Sequence, residues 1–484
     1  MGRTEDMRRG RILLWASLAA TLAACAATLA AVSLTGWSLF QPDTRYMVAI
    51  GRWIIENGEL PTADPLTLNE GLAYTCQQWP LCLAAAAVFD TFGEAGIKCA
   101  AAMLDMAAAA TVWACTLDRG RTGAVHAAAS AALAAVIAAL CNSTPRGIDV
   151  IALCICYAAG GKWARGGRDS LLAVFPAAGL AMAQLHGALW TVAAMVPCCL
   201  VLDGRLDRYG RLKALTAAMS TVAACMLNPY GAGLLMLPFL TMGAESLKSV
   251  GIGELAPWTQ AAPVQAACGC TLAAALLLFR CRVRGRSGGR VLLEAGDVLV
   301  LGTLALALAN VRNELFLFAS MALSLSDIQG EVAGPRARRP LALAACCTAA
   351  LVAAVGCLAA TVSAKTALEQ SAEAAIAALE DAEADGARPS SAISTWGANS
   401  NSPLPASARH AGGALPPSST GHGCLGRRPG VLAGDTEAIE GTGADFAVVP
   451  SGAYPALEDG LAELGFSRVH DDGTFEVYAR KAAP

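Results

Sequence analysis

Between residues 12 and 363 the chain alternates long apolar runs, built mostly of Ala, Leu and Val, with short polar connections, and this alternation limits the fold more than any other feature. A run of roughly 20 apolar residues closes its backbone hydrogen bonds internally as a helix and is long enough to cross a bilayer. Runs of this kind include 12–33, 98–117, 147–163, 262–280 and 341–363. With 55% hydrophobic and only 15% charged residues, the composition excludes an ordinary soluble domain. The expected fold is an all-α polytopic membrane bundle of about 11 spans. A net charge of -3, with no basic stripe carrying interleaved aromatics, excludes nucleic acid as a partner. Membrane lipids are the partner that the composition implies.

Lys and Arg in short loops set the orientation of such a bundle. With a cytoplasmic N-terminus, the clusters Arg119/Arg121, Lys162/Arg165/Arg168, Arg205/Arg208/Arg211/Lys213, Arg280 to Arg290 and Arg336/Arg338/Arg339 all fall inside, where they act only as topology determinants. The agreement fails if Gln78 to Phe92 or Gly231 to Gly243 crosses, so both are read as interfacial or re-entrant. The basic stretch Arg8, Arg9 and Arg11 before the first run resembles a signal peptide, but the run is long and many others follow, so an uncleaved first span in the cell membrane is expected.

Polar clusters 43–79, 142–149, 184–187, 228–231, 257–260 and 310–314 then share the outer side. Residues 1–363 form the membrane unit, with a first external loop at 34–97. Residues 364–429 combine a helix with a linker dense in Ser, Pro, Gly and Asn. Residues 430–484 are expected to make a small external α/β domain. Its strands lie around Phe446 to Val449 and Phe475 to Tyr478, its helix is Pro455 to Leu464, and Asp471-Asp472-Gly473 is a turn. Of 18 cysteines most sit within apolar runs, where a thiol is a small hydrophobe. Cys76 and Cys424 lie in polar stretches and could pair in an oxidising compartment. No ligand spacing supports a divalent metal, and no other cofactor is implied.

The first loop carries Asp43-Thr44-Arg45-Tyr46, Gly51-Arg52-Trp53-Ile54, Gly58-Glu59-Leu60-Pro61, Asp64-Pro65 and Gln78-Trp79-Pro80. Leu185-His186-Gly187, Asn228-Pro229-Tyr230-Gly231 and Asn310 to Arg312 follow, and a closing segment spans Asp435 to Arg480. In this order and outward placement the chain resembles the type C superfamily of polytopic glycosyltransferases. It is most similar to a bacterial branch related to protein O-mannosyltransferases and lipid A aminoarabinose transferases. It departs from them in having Asp43-Thr44 where two acids are common, and Gln78-Trp79 where the branch has Glu-Trp. The resemblance implies transfer of a sugar from a polyprenyl-phosphate donor to an unknown external acceptor.

On that reading Asp43 is the catalytic base, taking the acceptor proton as the sugar carbon is attacked; the alternative is a helix cap beside Thr44. Arg45, Arg146, His186 and Arg312 are the candidate ligands of the donor phosphate, since a guanidinium binds phosphate oxygens bidentately. For Arg146 and Arg312 the alternative is contact with lipid headgroups or a helix C-terminus. Asp64, Gln78, Trp79, Asn228 and Tyr230 are candidate supports; Asp64-Pro65 also reads as a turn, and Asn228 to Gly231 as a helix end. Asp105 and Asp297 fall inside apolar runs and need partners the sequence does not name. Two other functions fit the composition: a transporter or lipid flippase using Asp105, Glu294 and Asp297, and an inactive relative acting in envelope assembly.

Overall fold

The computed structural model describes residues 42–66, 73–116, 145–243, 256–286, 293–325, 434–440, 446–452, 454–473 and 475–480, the strand at 392–394, Asp327 and a few isolated positions elsewhere. The expected runs 12–33 and 341–363, most of 123–141, and Cys424 lie outside these residues. What is described is mostly helical, with a small sheet near the C-terminus. Three helical stretches are long and apolar enough to cross a membrane: Cys99–Thr116, Arg146–Ala164 and Pro263–Gly285. Four more are apolar but shorter: Trp79–Gly93, Asp169–Leu185, Gly187–Val201 and Ala295–Ala309. At 1.5 Å per residue, a helix of roughly 16 residues extends only about 24 Å, less than the ~30 Å hydrocarbon core.

Helix α1, Pro42–Asn57, carries Met47, Ile50 and Ile54 on one face, the i, i+3, i+7 spacing of an amphipathic helix. That face packs on the first half of α2, Trp79–Thr116, together with Cys82 and Ala85. The approach is close because residue 51 is glycine: a Cβ there would lie 2.0 Å from the Cys82 carbonyl oxygen. Arg52 ties the two helices at their edge through Asp90, at 2.5 Å, and lies over the Phe89 ring. Within α2, Gly93 adopts φ 63 and ψ -157, a conformation that costs an L side chain energy, and the helix breaks there. The break falls between the segment read as interfacial, 78–92, and the run that begins at 98.

The bundle continues as α3 (Arg146–Ala164), α4 (Val174–Leu185), α5 (Thr191–Val201), α6 (Arg208–Cys225) and α7 (Ala232–Gly243). The one-turn α8 (Trp258–Ala261) precedes α9 (Pro263–Arg286), α10 (Ala295–Ala309) and α11 (Glu314–Leu325). Val150, Leu153, Phe175, Val196, Leu200, Leu299 and Leu315 meet in the central core. In lipid such a core is held by close packing and interhelical hydrogen bonds rather than by transfer out of water.

One sequence expectation is corrected. Arg280 and Arg284 do not belong to a solvated basic loop: both are helical residues of α9 and both are buried. Their reach to carboxylates on α10 outweighs exposure. Asp297 accordingly has partners, Arg280 and Arg284.

The C-terminal sheet has strand order β1-β2-β4-β3. Here β1 is Ala392–Ser394, β2 Phe446–Pro450, β3 Phe466–Asp471 and β4 Phe475–Arg480. The last three are antiparallel, and β1 pairs parallel to β2. The β3–β4 turn is the expected Asp471-Asp472-Gly473, with Gly473 at φ 78 and its amide donating to Asp471 Oδ1. Two short helices join the sheet, α12 (Thr436–Glu440) and α13 (Pro455–Glu463). Ile439, Leu457 and Leu461 from them pack with Ala447, Val449, Phe466 and Tyr478.

Candidate functional site

The deepest polar contact at one end of the bundle joins α3 to the turn after α4. His186 Nδ1 lies 2.9 and 3.0 Å from the two carboxylate oxygens of Asp149, and the two residues are 3% and 0% exposed. A carboxylate only accepts, so Nδ1 carries the proton that joins the pair. The sequence places the pair simply: Asp149 lies in the first turn of α3, and His186, at φ -150, ends α4.

The first loop is fastened to this turn. Both carbonyl oxygens of Gln77 accept from it, the main-chain oxygen from the Gly187 amide at 2.6 Å and Oε1 from the Ala188 amide at 3.1 Å. These amides open the 3-10 turn Gly187–Leu189, where the first N–H groups have no partner within the turn. Trp79 Nε1 donates to Gln184 Oε1 at 3.1 Å, and Gln184 Nε2 donates onward to the Leu227 carbonyl. The Tyr230 hydroxyl donates to the Pro61 carbonyl at 3.1 Å, and the Tyr230 amide to Asn228 Oδ1 at 2.7 Å. Asn228 Nδ2 also donates to the carbonyls of Cys225 and Gly231, so this side chain closes the α6–α7 turn.

Arg146, three residues before Asp149 at the start of α3, is near enough to Glu314, at the start of α11, for the guanidinium to act on the carboxyl. Burial pushes the Glu314 carboxyl up to about 7, with the Trp258 indole and Arg146 pulling it the other way. Arg312 occupies the 3-10 turn Val311–Asn313, which Asn310 caps by accepting the Arg312 amide at 2.9 Å. The turn is also pinned to the segment before α8 by the Val311 amide donating to the Ala256 carbonyl.

The far ends of α10 and α11, about 22 Å away by helix rise, hold a second polar cluster of different character. Arg280 Nε meets Asp297 at 2.6 Å, and its Nη2 meets Glu294 at 3.0 Å and Asp327 at 3.3 Å. Arg284 is 2.7 Å from Asp297, and Arg205 is 2.6 Å from Asp203, which also accepts the Ala295 amide. The Tyr157 hydroxyl donates to Asp327 at 2.6 Å. Every carboxylate here has a cationic partner.

No family model matches this chain, and a search of curated proteins finds no match.

The sequence candidates fall into three groups. His186, Gln78, Trp79, Asn228 and Tyr230 lie in or beside the clamped turn, and Arg146 and Arg312 stand at the same end of the bundle. Asp64 makes a local turn, its Oδ1 accepting the Leu66 amide at 3.0 Å. Asp43 and Arg45 belong to the first turn of α1, and their side chains lie outside the described residues. His186 turns its Nδ1 to Asp149. Gln77, Asp149, Trp258 and Glu314 escaped the sequence reading as individual site residues. Asp149 and Glu314 each sit at the edge of one of the polar clusters, 142–149 and 310–314, and that position was the available signal. Among the described residues, no group of three or more His, Cys, Asp or Glu side chains gathers to hold a metal.

Proposed function

We propose that the chain is a membrane glycosyltransferase of the polytopic type C kind, moving a sugar from a polyprenyl-phosphate donor to an acceptor on the extracytoplasmic side. The observation that carries this reading is the convergence, at one end of the bundle, of Arg146, the buried Asp149–His186 pair and Glu314, with the Gln77–Trp79 loop fastened over the His186 turn. These residues come from four separate stretches of sequence. All four are stretches that charge bookkeeping assigns to the outer side.

The chemistry fits such a place. The acceptor oxygen or nitrogen attacks the anomeric carbon, the bond from that carbon to the phosphate oxygen breaks, and Asp43 takes the acceptor's proton. The departing polyprenyl phosphate gains negative charge, which Arg45, Arg146 and Arg312 neutralise. His186, oriented by Asp149, offers Nε2 to the phosphate or to a sugar hydroxyl.

Two of the three acids that a transport path would use, Glu294 and Asp297, are held instead by Arg205, Arg280 and Arg284 at the opposite end. Asp43→Asn is expected to abolish an envelope sugar modification and to leave carrier-linked sugar accumulating in the membrane, with the protein's abundance unchanged. An unaltered glycan and lipid-linked-sugar profile in cells carrying that variant would sink the assignment.

A further inference from the structure

Beneath the Gln77 clamp lie two thiols that the proposed chemistry leaves unused. Cys76 and Cys82 are each 1% exposed, and their Sγ atoms are 3.9 Å apart. They bracket the turn whose Gln77 and Trp79 grip the His186 turn, and Met47, Ile50, Ile54 and Ala85 enclose them. Cys82 is anchored at the start of α2, its amide donating to the Gln78 carbonyl at 3.0 Å. Cys76 was expected to look to Cys424 for a partner; the neighbour it meets is six residues away.

We propose that Cys76 and Cys82 form a disulfide that locks the Gln77–Leu81 turn in the shape that holds the Asp149–His186 pair. The inference rests on the outward placement of the first loop, because disulfides persist in oxidising compartments and are rare in reducing ones. In the step, both thiols give up their protons and two electrons pass to the disulfide of a thiol–disulfide oxidoreductase. That enzyme leaves as the dithiol, and one S–S bond forms here. The sulfurs need only close to about 2.05 Å. Oxidation precedes docking of the turn, since the docked pair is sealed from solvent.

Trypsin separates this pair from every other cysteine: the fragment Trp53 to Lys98 has no internal Lys or Arg, and it contains Cys76 and Cys82 alone. Membranes are quenched in acid, and the full-length protein is denatured, treated with N-ethylmaleimide and digested. The fragment is expected to carry no adduct and to weigh two hydrogens less than the dithiol, and to take two adducts only when reduced first. Two adducts without reduction would overturn the proposal. In detergent, dithiothreitol should lower the unfolding temperature of the wild-type chain and leave that of C76S/C82S unmoved; equal shifts in both would also count against it. A reporter fused at Glu59 assigns the side of the loop independently. Free thiols on an external loop refute the disulfide alone, whereas free thiols on an internal loop refute the orientation, and with it the transferase reading.

Discussion

His186 and Asp149 depend on each other unequally. Removing the imidazole leaves a buried carboxylate without its partner, which costs about 3–5 kcal/mol when a buried pair is broken. Removing the carboxylate leaves the ring with one unsatisfied N–H, costing about 1–3 kcal/mol. His186→Ala is therefore expected to lower the unfolding temperature in detergent more than Asp149→Ala does. A reversed order would refute this unequal dependence. Glu314 gives a second handle. Its carboxyl rises from 4.5 to about 7 on burial, so the fold favours the protonated form. That contribution is complete below about pH 4.5, the unfolded value, and is lost as pH climbs through about 7. Stability measured from pH 4.5 to 8 should decline across this window, and Glu314→Gln should flatten the decline. An identical slope in the variant would remove Glu314 as its source.

Among the elements, α1 and the first half of α2 act together because residue 51 lacks a side chain. Gly51→Ala places a methyl group against the Cys82 carbonyl, and forcing extra volume into a packed contact typically costs about 1–3 kcal/mol. The expected outcome is faster proteolysis within 58–66 and a lower unfolding temperature; wild-type resistance would show that the helices separate without cost. A helix beside Thr44 was expected from the sequence, and α1 lies there, Pro42–Asn57. The strand, helix and turn of the C-terminal segment were legible because alternation and turn chemistry act over a few residues. Helix lengths were less so. The run 187–203 reads as one span, but the turn at His186 and the residues around Asp203 trim it to an 11-residue α5.

At the scale of the molecule, the sequence conveyed the class of fold and which polar stretches belong together, since both follow from hydropathy and the placement of Lys and Arg. It did not convey pairing. Asp149 with His186 and Gln77 with Gly187 are separated by 37 and 110 positions, and no local pattern links them. Arg280 shows the same limit from the other side: by composition it opens a basic loop, and only the fold reveals the carboxylates waiting on α10.

Those carboxylates bear on how the chain is made. An arginine entering lipid alone faces an insertion cost of about 2.5–3.5 kcal/mol, and two of the four arginines on α9, Arg280 and Arg284, are buried. Their partners Glu294 and Asp297 emerge from the ribosome only 14 and 13 residues later. The favourable course is for α9 to wait at the translocation channel until α10 has been synthesised, and for the two to leave it as a hairpin whose charges are already matched.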